Sequence, residues 1–160
     1  MNNNDVLRRV RYAFDLNDDK VIACFAHADV TVSRTQVCAW LKKDDDDDRV
    51  ELADVELASF LNGFIIEKRG RRDGPQPAPE KQLTNNLILA KLKIALALRA
   101  EDVLAMIKAG GMTISKPELT ALFRKPGSRQ FRPAKDQVVR YFLRGMTAHH
   151  RPQPNDDDDT

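Results

Sequence analysis

Long apolar runs are missing from this chain. Its most hydrophobic stretch, residues 87–98, is interrupted by Lys91 and Lys93 and closed by Arg99, well short of the roughly 20 apolar residues that span a bilayer. An integral membrane protein is therefore not expected. The first residues, Met1-Asn2-Asn3-Asn4-Asp5, lack the basic and then apolar segments of a secretion signal, which points to the cytoplasm. Cysteine is scarce: Cys24 and Cys38 alone build neither a disulfide framework nor a thiolate metal site, and both are read as free thiols. Histidine is almost as rare, with His27, His149 and His150 only. No phosphate-cradling glycine loop, nucleophile elbow, zinc-protease helix or paired C-x-x-C pattern is present. The sequence thus predicts no enzyme, no cofactor and no metal ion. The aspartates of residues 44–48 lack the glycine and distal glutamate of a calcium loop, and read as a solvated helix end.

What is present is an ordinary globular composition, 160 residues with 42% hydrophobic, 31% charged and 6% aromatic side chains. The net charge of +2 conceals two acidic runs, residues 44–48 and 156–159. With those set aside, the remainder carries a balance of roughly +11, a hint of a polyanionic partner.

The strongest signal is an internal repeat. Displacing the chain on itself by about 82 residues, without gaps, aligns about 15 identities over about 62 positions. Asn3-Asn4 falls on Asn85-Asn86, Leu7 on Leu89, Val21 on Val103, Ser33 on Ser115, Asp54 on Asp136, and Phe60-Leu61-x-Gly63 on Phe142-Leu143-x-Gly145.

Each copy divides into four helices. Val6, Leu7, Val10, Ala13 and Phe14 recur at helical spacing after Asn3 or Asn4, either of which suits an N-cap. Asp18 and Asp19 suit the positive end of a second helix carrying Val21, Ile22 and Phe25 inward. A turn follows, containing Gly110-Gly111 in the second copy, where left-handed backbone is tolerated. Ser33 with Gln36, and Ser115 with Glu118, then spell capping boxes at the start of helix 3. Its apolar face is Val37, Trp40 and Leu41, or Leu119, Leu122 and Phe123. The last helix buries Leu57, Phe60, Leu61, Phe64 and Ile65, or Val138, Val139, Phe142 and Leu143. Gly63 and Gly145 recur inside it, where glycine costs about 1 kcal/mol relative to alanine, so close helix packing is expected there. Cys24 is expected in the core and Cys38 at the surface.

The predicted architecture is all-α: two tandem copies of a small four-helix module containing a helix-turn-helix-like unit, packed together because bodies of some 60 residues are marginal alone. The division is residues 1–70, a Pro/Gly-rich linker at 71–83, a second repeat at 84–147, and a disordered acidic tail at 148–160.

Three segments carry a family resemblance: Asn3-Asn4-Asp5-Val6-Leu7-Arg8-Arg9-Val10-Arg11-Tyr12-Ala13-Phe14, Ser33-x-x-Gln36-Val37-x-Ala39-Trp40-Leu41-Lys42-Lys43, and Phe60-Leu61-Asn62-Gly63. In these the chain resembles the YehS-like bacterial proteins, a family of two tandem copies of a helical domain. The resemblance covers nearly all of the chain ahead of the acidic tail, implies the repeat architecture and brings no catalytic residues with it.

Function is then read from the exposed side chains. A non-enzymatic interaction module that receives a protein partner in a groove between helices, or serves as a scaffold or regulator, is the preferred expectation. The alternative is nucleic-acid binding through helix 3, where Arg34, Lys42 and Lys43 in the first copy, and Lys116, Arg124 and Lys125 in the second, lie off the apolar face. The turn before helix 3 is longer than in compact repressor motifs, and residues 44–48 would repel phosphate. The second copy is accordingly the better candidate.

Overall fold

The computed structural model describes residues 1–151, and among these there is no strand. Eight helices follow in order: α1 (Asn3–Ala13), α2 (Asp18–His27), α3 (Arg34–Leu41), α4 (Asp54–Arg69), α5 (Asn85–Ala95), α6 (Ala100–Gly110), α7 (Lys116–Leu122) and α8 (Asp136–His150). The fold is all-helical and built of two tandem repeats, α1–α4 and α5–α8. Residues 71–84 connect them without helix.

Each repeat is organised by its apolar stripes. Leu7, Val10, Val21, Phe25, Val37, Leu57, Phe60, Leu61 and Phe64 are fully buried in the first, and Leu92, Val103, Ile107, Leu119, Val139, Phe142, Leu143 and Met146 in the second. The first core is aromatic: Phe25 lies 5.4 Å from Trp40 and 5.6 Å from Phe60 between ring centres. Its counterparts in the second repeat are the smaller, aliphatic Ile107 and Leu122 beside Phe142, so one scaffold accepts two different packings.

The repeated glycine has a steric cause. A Cβ on Gly63 would collide with the backbone carbonyl of Cys24 in α2, and one on Gly145 with the carbonyl of Met106 in α6. These are the same pair of positions in the two repeats, and each lets the long last helix touch the second helix backbone to backbone. Of the Gly110-Gly111 pair expected in the turn, one residue lies in the helix instead. Only Gly111 takes left-handed angles (φ 116°), whereas Gly110 is the last residue of α6 and lies against the carbonyl of Tyr141.

The capping boxes form as expected. Gln36 N donates to Ser33 Oγ at 3.1 Å and Glu118 N to Ser115 Oγ at 3.2 Å, while the third-position side chains accept from the Ser33 and Ser115 amides at 2.8 and 3.0 Å. The Ser115 amide first, and then the Ser115 side chain, hold the Glu118 carboxyl below its usual range.

The Asn-Asn pair does something other than capping. The N-caps of α1 and α5 are Asn2 and Thr84. Asn4 points into the core, where Nδ2 donates to Trp40 O (2.9 Å) and Val50 O (2.8 Å) and Oδ1 accepts from Leu52 N (3.0 Å). Asn86 repeats this with Leu122 O, Arg132 O and Ala134 N. Asn3 and Asn85 donate to Leu52 O and Ala134 O, and to Asp54 and Asp136. The loop after the third helix crosses a region with no sheet to satisfy its backbone, and these amides supply the missing partners.

The repeats meet about an approximate two-fold axis, α1 packing on α8 and α4 on α5. Polar contacts obey the same exchange. Leu83 N donates to Asp54 Oδ2 at 2.9 Å, and the Met1 amine to Asp136 Oδ2 at 3.2 Å. Asp136 is held below the usual carboxylate range by the Asn85 amide first and then by that amine.

The tail assignment needs correction at its start. Ala148, His149 and His150 belong to α8, and Arg151 lies 4.3 Å over the Tyr12 ring and donates to Tyr12 O at 3.1 Å. Stacking of His150 on Phe14, 4.5 Å between ring centres, supplies the packing that the polar composition of this stretch conceals. Burial, with repulsion from His149 and Lys68, lowers the His150 pKa. The acidic run at 156–159 lies outside the described residues.

Candidate functional site

The six cations named from sequence do not form one surface. Arg34, at the start of α3, is paired with Asp18 and Asp19 of α2, so its charge is spent inside its own repeat. Lys42 is half-buried, its carbonyl accepting from Arg8 at 2.8 Å, and Lys43 precedes the aspartates of residues 44–48. Around α3 the first repeat therefore offers no clear cationic face.

The second repeat differs. Lys116 and Arg124 line one shallow hollow of about 400 Å³ with Pro117, Thr120, Ala121 and Gln130. Lys125 is exposed nearby in sequence, and Arg124, Lys125, Arg129, Arg132 and Lys135 occur in residues 119–135 without a single acid. None of these five cations, nor Lys116, makes an ion pair among the described residues. Five residues separate α6 from α7, and α7 itself is only 7 residues long.

A second site escaped the sequence reading. Where α4 meets α5, the linker passes over the junction and leaves a groove of about 720 Å³. Ile65 and Ile66 of α4 and Leu87, Ala90 and Ile94 of α5 give it apolar walls, Pro77 and Pro79 line it from the linker, and Arg69, Arg72 and Arg71 join the lining, the last paired with Asp29 at 3.6 Å. Ile94, near the end of α5, is 55% exposed.

In the wall of this groove are two buried polar residues, Asn62 and Lys91, 7% and 8% exposed. Lys91 Nζ donates to Asn62 Oδ1 at 2.6 Å. It also lies 3.0 Å from Glu80 Oε1 of the linker, an ion pair without hydrogen-bond alignment. Asn62 Nδ2 is buried and has no partner.

Among the described residues, the two junctions related by the approximate symmetry differ in their side chains. Opposite positions to Asn62, Lys91 and Ile94 are Arg144, Arg9 and Tyr12. There Arg151 covers the ring of Tyr12 and reaches Asp15 at 3.4 Å, whereas its counterpart Arg69 leaves Ile94 open. A comparison of the repeats position by position carries this signal, since Lys91 interrupts an apolar helix and Asn62 stands amid the shared Phe-Leu-x-Gly.

The remaining candidates are quieter. Cys24 is buried, and burial foremost, then Glu67, pushes its thiol up to about 12, so it is an inert core residue. Cys38 is exposed. His27 contacts Glu67 at 2.8 Å on the half-exposed surface. Among the described residues no group of three His, Cys, Asp or Glu side chains is placed to hold a metal ion, and no helix is long and apolar enough to cross a membrane.

Comparison with known proteins follows the repeat. A family model described as "Protein of unknown function (DUF1456)" matches twice, at residues 3–70 and 85–151. The chain is 40% identical over 149 residues to the uncharacterized protein YehS of Escherichia coli (strain K12), covering 92% of this chain and 96% of that one. No solved structure matches.

Proposed function

The chain belongs to the DUF1456 family, whose description names no activity, and we propose from its own surface that it is a non-enzymatic interaction module that receives an apolar segment of a partner protein in the α4–α5 groove. The observation that carries this reading is the groove itself: Ile94 exposed and four further aliphatic side chains half-buried along two packed helices, with arginines in its lining. Such a trough buries the apolar side of a peptide, and the rim orients it. The single His–carboxylate contact among the described residues, His27 with Glu67, does not line it. Two unpaired thiols support a cytoplasmic setting.

The test is selection of binders from a random peptide display library against the full chain, followed by affinity measurement on Ile94→Asp. Selected peptides are expected to be apolar, and Ile94→Asp to weaken them about tenfold or more, the worth of one aliphatic side chain buried on binding. Binders indifferent to Ile94→Asp would contradict the assignment.

A second reading rests on a separate observation, the acid-free run of cations following α7. In it the helix-turn-helix-like α6–α7 unit of the second repeat holds a nucleic acid through phosphate contacts from Lys116, Arg124 and Lys125. Arg124→Glu with Lys125→Glu is then expected to abolish duplex DNA or RNA binding with thermal stability nearly unchanged, since both side chains are exposed. Filter binding across a salt series checks it; an affinity that ignores salt or the double substitution removes this reading.

A further inference from the structure

Lys91 and Asn62 have unfinished hydrogen bonding. A lysine 8% exposed is costly to bury unless its charge is met. Its ammonium carries three protons and finds one aligned acceptor, Asn62 Oδ1. That bond also fixes the Asn62 amide: turned over, its NH2 would face the ammonium, donor against donor. Nδ2 is thereby left buried with nothing to donate to, and both residues line the groove. Two unmet donors side by side call for an acceptor with two oxygens and a negative charge.

We infer that Lys91 and Asn62 bind the C-terminal carboxylate of the partner segment, and that Glu80 of the linker occupies the carboxylate position while the groove is empty. This rests on the groove reading proposed above. Glu80 comes from non-helical chain, its side chain is 32% exposed, and it meets Lys91 at 3.0 Å without the alignment that Asn62 achieves. It is a stand-in that a better-placed carboxylate displaces. A chain end suits the place better than an acidic side chain. The walls Ile65, Leu87 and Ile94 accept aliphatic groups up to Lys91, and a terminal residue brings its side chain and carboxylate together with backbone on one side only. Arg69 and Arg72 at the rim add attraction for an anionic end.

The experiment uses the full chain and fluorescein-labelled ten-residue peptides whose last four positions are a mixture of Leu, Ile, Val and Phe, made as free acids and as C-terminal amides. Fluorescence anisotropy is read for the native chain, Glu80→Gln and Lys91→Met, with circular dichroism melting as a check on folding. The free acids are expected to bind about tenfold tighter than the amides. Glu80→Gln removes the competitor and is expected to tighten the acids several-fold while leaving the amides unchanged; a merely structural Glu80 would weaken both. Lys91→Met is expected to erase the preference for acids, and if that variant misfolds, Glu80→Gln decides alone. Equal binding of acids and amides, or weaker acid binding by Glu80→Gln, overturns the carboxylate assignment and leaves the groove reading standing. If neither peptide set binds, both fall.

Discussion

Replacing Gly63 by alanine is expected to lower the melting temperature by roughly 10 °C, the consequence of about 3 kcal/mol of overpacking in a chain of this size. Helix propensity alone gives the opposite sign, because alanine is favoured over glycine inside a helix by about 1 kcal/mol. Geometry decides between them. The added methyl meets the carbonyl carbon and oxygen of Cys24, which are backbone atoms of α2 and cannot swing aside as a side-chain end would. Relief requires α2 and α4 to separate, and that opens the cluster of Phe25, Phe60 and Phe64 behind them. Gly145→Ala is expected to behave alike through Met106 and α6. Thermal denaturation of the two variants checks it; a melting point that rises would show the helices to be less closely packed than described.

The second large effect concerns Asn4. Aspartate has nearly the same shape, so Asn4→Asp isolates hydrogen bonding from volume. A carboxylate still accepts from Leu52 N but cannot donate to Trp40 O or Val50 O, and its charge faces both carbonyls at a position 1% exposed. Two buried acceptors lose their donor, each worth about 1–3 kcal/mol, so a loss of about 4 kcal/mol is expected from urea titration. Asn86→Asp provides a parallel in the other repeat. A change below about 1 kcal/mol at either position would mean that water reaches these loops and replaces the amides.

The contrast between these residues explains what the sequence reveals. Leu7, Val21 and Phe60 recur in both copies and are buried in both, because apolar spacing along a helix reports directly on the face it turns inward. Ser33 and Ser115 are equally legible, since a capping box closes within three residues. Asn4 is repeated too, but its partners lie 36 to 48 residues away, and a local reading mistakes it for a cap. The groove is harder still. Lys91 stands out in an apolar stretch, yet a lysine there ordinarily extends to solvent; only the docking of α4 on α5 places it beside Asn62. Among the six named cations, Arg34 loses its role to Asp18 and Asp19, acids whose service to the start of α2 disguises their reach toward α3.

The two repeats share a scaffold and differ where they touch. On the α1–α8 side Arg151 stacks on the Tyr12 ring; on the α4–α5 side the corresponding Ile94 is uncovered and the groove is polar at its base. Duplication supplies the rigid frame, and divergence at a handful of interface positions supplies a recess. The family relationship fits this picture through its two matched segments, one for each repeat.

Methyl-detected NMR of the full chain, with isoleucine δ1 groups labelled, tests the recess most directly when a display-selected peptide is added. Resonances of Ile65, Ile66 and Ile94 are expected to shift together with saturation, while Ile114, in the turn before α7, stays in place. Movement of Ile114 with the groove isoleucines unmoved would contradict the proposal that the α4–α5 groove is where this protein meets its partner.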